Sequence, residues 1–307
     1  MLGNFWFKKE KPLLGLTGLG GGVGSNLLAG SGSGFELPAY LTNTDDLVYY
    51  IDMHNSESYS GTGTAITDLS GAGENYATTI EGTLNTDWFY LSNDPESSNP
   101  AWGREDDQDD GYIRTTNTGS SNLKFGTSSF TIEMWVRPYS WTGYFVVFQS
   151  NWDANNNGNR QSDNSKPYIY LGMMGEDALP AYEGKVRAYI RHYPNGSAES
   201  LTMYSSHQWS GYNSSSGQWG NWNHIVLTRS SSTFKLYVNS NLRETDTSTG
   251  TMDFDGDDYC ANFMDDGRST GQGDFGRFGA ARIYKGTALS SSDILAHWDG
   301  EKAAYGH

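Results

Sequence analysis

Four carboxylates crowd into one short stretch, Asp253-Phe-Asp-Gly-Asp-Asp258, with Asp265 and Asp266 close behind. Like charges this close repel one another, and a hard divalent cation relieves the repulsion. Calcium, which takes about 6–8 oxygen ligands, suits the run, with Asp253, Asp255, Asp257 and Asp258 as its candidate ligands. The spacing is not that of an EF-hand, because no Glu stands where the twelfth ligand belongs. A solvated acidic loop accounts for the same residues equally well. The second acidic run, Asp106 to Asp110, is a weaker candidate.

A different chemistry is open to Trp209, Tyr212 and Trp219, which stand among Ser and Gly in residues 195–220. Aromatic faces on exposed loops stack against sugar rings, so these three are candidate glycan-stacking residues. Aromatics of a β protein are more often core, and Trp135 and Trp222 are expected there.

Hydrolysis finds less support. A retaining glycosidase needs two carboxylates about 5–5.5 Å apart, which on a strand means alternate positions of one face. Glu133 stands alone in Thr-Ile-Glu-Met-Trp-Val, and no Gly-x-Ser-x-Gly elbow occurs. His54, His192, His207, His224, His297 and His307 show no ligand spacing, and with one cysteine they build no zinc site. His224 is expected to pack or hydrogen-bond at a sheet edge. No catalytic residue is assigned.

The elements that must position these residues read as strands. Phe130–Val136 alternates apolar and polar residues, as does the hairpin of Trp222–Arg229 and Thr233–Val238, whose serine turn is short enough to set the register. Leu47–Ile51, Tyr112–Arg114, Tyr168–Met173 and Gly184–His192 add further strands, whereas 92–111, 150–166 and much of 195–220 read as loop. Ser290-Ser-Ser-Asp293 ahead of Ile294, Leu295 and Trp298 signals a short C-terminal helix.

Composition agrees with an all-β chain rich in turns: 38 Gly in 307 residues, with 10 Trp and 20 Tyr to fill a core. A formal charge of −16 repels phosphate backbones, so nucleic acid is an unexpected partner. Cys260 has no second cysteine to pair with, and no apolar run approaches the roughly 20 residues that span a membrane.

In order, Tyr49-Tyr-Ile-Asp52, Ser58–Thr64, Asp68-Leu-Ser-Gly71, Asp110–Arg114, Ser129–Arg137, Trp222–Val226, Phe234–Asn239 and Gly279–Tyr284 resemble the laminin-G-like, concanavalin-A-like lectin/glucanase family. That resemblance implies a jelly-roll β-sandwich over about residues 47–300, and it adds weight to a rim calcium. Glucanases of the fold carry Glu-x-Asp-x-x-Glu on one strand, a run missing here, so a non-enzymatic module is expected.

Residues 1–36 differ in kind. Phe5-Trp6-Phe7 and the lysines Lys8, Lys9 and Lys11 precede a glycine-rich strap from Gly15 to Gly34, too entropic to build a core. An apolar head on a flexible strap suits an anchoring arm, with Phe5, Trp6, Phe7, Lys8 and Lys9 as the contacts. Glycines interrupt the apolar stretch and no Ala-x-Ala site follows, so the arm is expected to be retained. Its start resembles structural proteins of tailed phages infecting marine cyanobacteria. That implies a virion protein with residues 1–36 as arm and 37–307 as laminin-G-like domain. A capsid decoration protein bound to other virion proteins is the leading expectation. A tail adhesin for host glycans, or a free carbohydrate-binding or glycan-hydrolysing protein, is the alternative.

Overall fold

A computed structural model of the chain describes residues 35–72, 77–81, 89–95, 97–104, 112–116, 123–140, 144–152, 168–175, 180–192, 199–213, 218–250, 252–253, 259–264 and 276–307. In chain order the strands are β1 (Leu47–Asp52), β2 (Ala65–Ile66), β3 (Ala77–Glu81), β4 (Phe89–Leu91), β5 (Ala101–Arg104), β6 (Tyr112–Thr116), β7 (Lys124–Gly126), β8 (Phe130–Ser140), β9 (Tyr144–Trp152) and β10 (Tyr168–Met174). They continue with β11 (Lys185–His192), β12 (Glu199–Gln208), β13 (Gln218–Trp219), β14 (Asn223–Ser230), β15 (Thr233–Val238), β16 (Asn241–Thr247), β17 (Met252–Asp253), β18 (Tyr259–Phe263) and β19 (Gly276–Lys285). Helix α1 (Ser291–Glu301) follows.

Two antiparallel sheets form the sandwich. The front sheet runs β16-β15-β14-β8-β19-β5-β4, with β1 also on β19 and β13 also on β8. The back sheet runs β12-β11-β10-β9-β18-β6-β3-β2, and β7 pairs with β17 apart from both. Between them lies one apolar cluster that takes alternate residues from facing strands: Ile132, Met134 and Val136 from β8, and Val186, Ala188 and Ile190 from β11. The period of two seen in the sequence is this inward-facing set.

The two sheets differ on their outer faces. Along β14 and β19 nearly every residue is buried, because a second layer covers the front sheet. Val226, Tyr237 and Tyr284 pack there against Leu41, Leu289 and Ile294, and Trp135 and Trp222 pack against Tyr305. On β11 of the back sheet, buried and half-exposed residues alternate. β12 alternates in the same way, whereas Tyr170 of β10 and Asn262 of β18, between core positions, are buried, so the half-exposed part of that outer face lies at β11 and β12.

Local chemistry explains the ends. Ser290 caps α1: its hydroxyl accepts from Asp293 N–H while the Asp293 carboxylate accepts from Ser290 N–H. Between β15 and β16 the two turn residues, Asn239 and Ser240, both have positive φ (52° and 61°), as a tight primed hairpin turn requires. Asn239 also accepts from the His224 amide at 2.8 Å and returns its own N–H to the His224 carbonyl. Asp68 explains the Asp-Leu-Ser-Gly motif. Its carboxylate accepts from the amides of Tyr50 and Ser70 (2.8 Å each) and ties the loop to β1. Burial pushes its carboxyl upward in spite of those donors.

Three readings need correction. Residues 199–208, expected as loop, form the ten-residue strand β12, with Leu201 and Met203 in the core. β5 lies inside the expected 92–111 loop. His224 is not at an edge, since β14 is hydrogen-bonded on both sides, to β8 and β15.

Candidate functional site

Glu133, read from sequence as isolated, lies on the covered side of β8 at the centre of a buried polar cluster. His224 Nε2 lies 2.6 Å from its Oε1, and His297 Nδ1 is 3.1 Å from both of its oxygens. Thr42 N–H donates to His297 Nε2 (3.0 Å), so the ring proton sits on Nδ1 and points at Glu133. Arg282 forms a two-nitrogen ion pair with Glu301 and reaches Glu133 Oε1 at 3.6 Å. Trp135 Nε1 (2.6 Å) and the Tyr40 hydroxyl (3.0 Å) also donate to Glu301. Burial pushes the Glu133 carboxyl up, but His297, His224 and Arg282 together hold it well below the usual carboxylate range.

Ligand atoms of Glu133, His224 and Glu301 come within 4.8 Å of one another, close enough to suggest a cation. The donor set argues otherwise. The Arg282 guanidinium supplies the positive charge, and the imidazole nitrogens facing Glu133 carry protons. Stacked rings close the cluster: Tyr305 lies 4.1 Å and Trp298 5.2 Å from Trp135 between centroids. Gly279 makes that stack possible, because a Cβ there would sit 2.5 Å from the Tyr305 ring. The cluster latches α1 to the sheet, with Glu133, His224 and His297 fully buried.

The expected stacking trio divides. Trp209 is 4% exposed and belongs to the core, so the expected platform does not form at that residue. Tyr212 packs edge-on against it, 4.9 Å between centroids. Trp219 is partly exposed, but two guanidiniums cover its ring, Arg277 at 4.3 Å and Arg137 at 5.1 Å. Both arginines pair with buried Asp94, and burial pushes Arg277 down to about 10. Short polar residues around these rings suggested exposure, whereas Trp209 packs into the inter-sheet core and the pairing of β13 with β8 fixes Trp219.

Outside the described residues lie Phe5, Trp6, Phe7, Lys8 and Lys9 of the arm, and Asp255, Asp257 and Asp258 of the acidic run. Asp253 lies on β17.

An aromatic surface that sequence reading missed occupies the outer face of β10, β11 and β12. Arg187 is opposite Gly172 on one side and Tyr204 on the other, and Tyr189 is opposite Tyr170 and Thr202. The Arg187 guanidinium lies over Tyr189 (5.1 Å), Tyr170 (5.7 Å) and Tyr204 (5.9 Å). Tyr182 stacks on Tyr204 with centroids 4.1 Å apart. Tyr182, Tyr189 and Tyr204 are half-buried, whereas Tyr170 is buried (7% exposed) beneath them, outside the inter-sheet cluster. At Gly172 a Cβ would press to 2.8 Å on the Tyr170 ring, so glycine there lets that ring lie across the sheet. The signal was legible as a period of two, since Lys185, Arg187, Tyr189 and Arg191 form the outward row of β11.

A family model described as the concanavalin A-like lectin/glucanases superfamily, Laminin_G_3, matches residues 106–295. Among solved structures, the binding domain of paraclostridial mosquitocidal protein 1 aligns with TM-score 0.55 and 16% identity, over 86% of this chain and 56% of that one. A structure on cell entry of botulinum neurotoxin type C, dependent upon interaction with two ganglioside molecules, aligns with TM-score 0.52 and 15% identity, over 83% and 51%. The receptor binding domain of botulinum neurotoxin D gives 0.51 and 13%, over 84% and 53%. The chain spans a little over half the length of these toxin chains, and at such identities the likeness is one of fold. No curated protein matches the chain.

Proposed function

This chain belongs to the concanavalin A-like lectin/glucanases superfamily, and from that premise we propose a non-enzymatic glycan-binding module of the adhesin kind. Its ligand lies against the outer face of β10, β11 and β12. The observation that carries this reading is the Arg187 guanidinium over half-buried Tyr189 and Tyr204 and buried Tyr170, with Tyr182 stacked on Tyr204, beside strands β11 and β12 whose burial alternates. Aromatic faces next to a fixed donor suit a sugar, whose C–H faces stack and whose hydroxyls hydrogen-bond. Likeness in fold to toxin binding domains, one described through gangliosides, supports a surface glycan as partner. Against hydrolysis, Glu133 is sealed under α1 and its nearest charged partners are a guanidinium and two imidazoles.

The test is a glycan array probed with the full chain and with Tyr189→Ala and Tyr204→Ala. Loss of a bound glycan in both variants is expected, and unchanged binding in both would refute the site.

Display on a virion is a second reading, favoured by the sequence of the arm, Phe5-Trp6-Phe7-Lys8-Lys9 followed by a glycine strap. On it the sandwich faces outward from a capsid, or from a tail that contacts host glycans. Deleting residues 1–34 then abolishes incorporation into particles; full incorporation would end the idea. Calcium at Asp253, Asp255, Asp257 and Asp258 belongs to the same set of proposals, and titration calorimetry with CaCl2 decides it.

A further inference from the structure

We propose that the sugar bound by this face is anionic, carrying a carboxylate or a sulfate, and that Arg187 receives its charge. The inference rests on the glycan-binding reading above. It begins with charge distribution. The chain has 20 basic against 36 acidic residues, yet the outward row of β11 holds Lys185, Arg187 and Arg191 with Tyr189 between them. The adjoining positions are Tyr170 and Gly172 on β10, both buried, and Ser200, Thr202 and Tyr204 on β12. None is acidic. A cationic strip on a strongly acidic protein is a local reversal of field that draws anions to this face.

The second observation is how this protein treats its other arginines. Among the described residues four more lie over aromatic rings: Arg137 and Arg277 over Trp219, Arg229 over Phe234, and Arg282 over Tyr50. Each also gives its N–H groups to oxygen. Arg137 donates to the Gly220 carbonyl and Arg277 to Asp94; Arg229 donates to the carbonyls of Ser231, Gly126 and Gly250, and Arg282 to Glu301. Arg187 departs from this rule. Among the described residues its guanidinium makes ring contacts alone, and its Nε is sealed from water with no acceptor.

A planar fork braced by three rings, with its terminal amino groups left to solvent, is organised before any ligand arrives. It matches the two oxygens of a carboxylate or sulfate in a bidentate pair. Tyr189 then flanks the same sugar ring, while Tyr204, stacked on Tyr182, braces the fork.

The experiment measures binding of the full chain to matched oligosaccharide pairs: uronate-containing or sialylated, sulfated, and the uncharged counterpart of each. Arg187→Met and Arg187→Lys are measured alongside, with melting curves to establish folding. The expected result is on the order of tenfold tighter binding of an acidic member than of its neutral counterpart. That preference weakens as salt rises, disappears in Arg187→Met and survives in part in Arg187→Lys. The carboxylate and sulfate arms identify which anion is taken. Equal affinity for acidic and neutral partners, unchanged in Arg187→Met, overturns the anionic inference and leaves the glycan site standing. Failure to bind any of them overturns both. Because the acidic-against-neutral comparison is made on the unmodified chain, an unfolded variant does not remove the test.

Discussion

Replacing Arg282 by Met tests whether the cluster beneath α1 is a latch. The Arg282 guanidinium is 1% exposed, pairs with Glu301 through both terminal nitrogens, reaches Glu133 at 3.6 Å and lies 4.6 Å over the Tyr50 ring. Methionine keeps much of the packing volume and removes the charge. Glu301 would keep Trp135 and Tyr40 as donors, and Glu133 would keep its two histidines, but two buried carboxylates would share a site without a cation. Breaking a buried pair from one side costs about 3–5 kcal/mol. At about 2–4 °C per kcal/mol for larger domains, the melting temperature should fall on the order of 10 °C. Urea denaturation gives the free energy, and amide exchange over Ser291–Glu301 reports whether α1 loosens first. A loss below about 1 kcal/mol with α1 protection unchanged would refute the latch, because a surface ion pair behaves that way.

Acid should act on the same cluster. The folded Glu133 carboxyl is held below its ordinary value of 4.5, so its contribution is present above that pH and is lost as pH falls below it towards the depressed folded value. Denaturation at pH 7, 4.5 and 3 should show the decline, and Glu133→Gln should flatten it; an unaltered decline in that variant would contradict the assignment. Trp219→Ala removes the ring beneath two guanidiniums and should cost about 0.5–2 kcal/mol while glycan binding persists. Trp209→Ala empties a core position and should cost about 3–5 kcal/mol in the same melting assay. Asn239→Ala loses the acceptor for the His224 amide at a positive-φ turn, about 1–2 kcal/mol by urea denaturation, and Asn239→Gly should restore part of that loss.

Much of the architecture was legible because strands buried on one face repeat with a period of two. Phe130–Val136 and the β14–β15 hairpin were readable in this way, and the helix from its Ser290–Asp293 cap. β12 was missed because most of its outward residues are Ser and Thr, which also fill loops, although Leu201 and Met203 kept the alternation. The partners of Glu133 were not readable. His224 of β14, Arg282 of β19, and His297 and Glu301 of α1 meet through sheet pairing and helix docking, at separations from Glu133 that no local pattern encodes. Trp209 and Trp219 misled for the converse reason, since small polar neighbours in sequence say nothing of a distant strand that covers a ring. The outward row of β11 was visible as alternation, yet its meaning depended on which sheet face stays open. That was decided by α1 and residues 35–46 covering the other sheet.

The central claim is that a glycan lies on the outer face of β10, β11 and β12. Hydrogen exchange of the full chain with and without a glycan selected on the array tests it most directly. The account predicts slowed exchange in peptides spanning Tyr168–Met174, Lys185–His192 and Glu199–Gln208. Protection confined to other strands, or to residues 209–219, would contradict it.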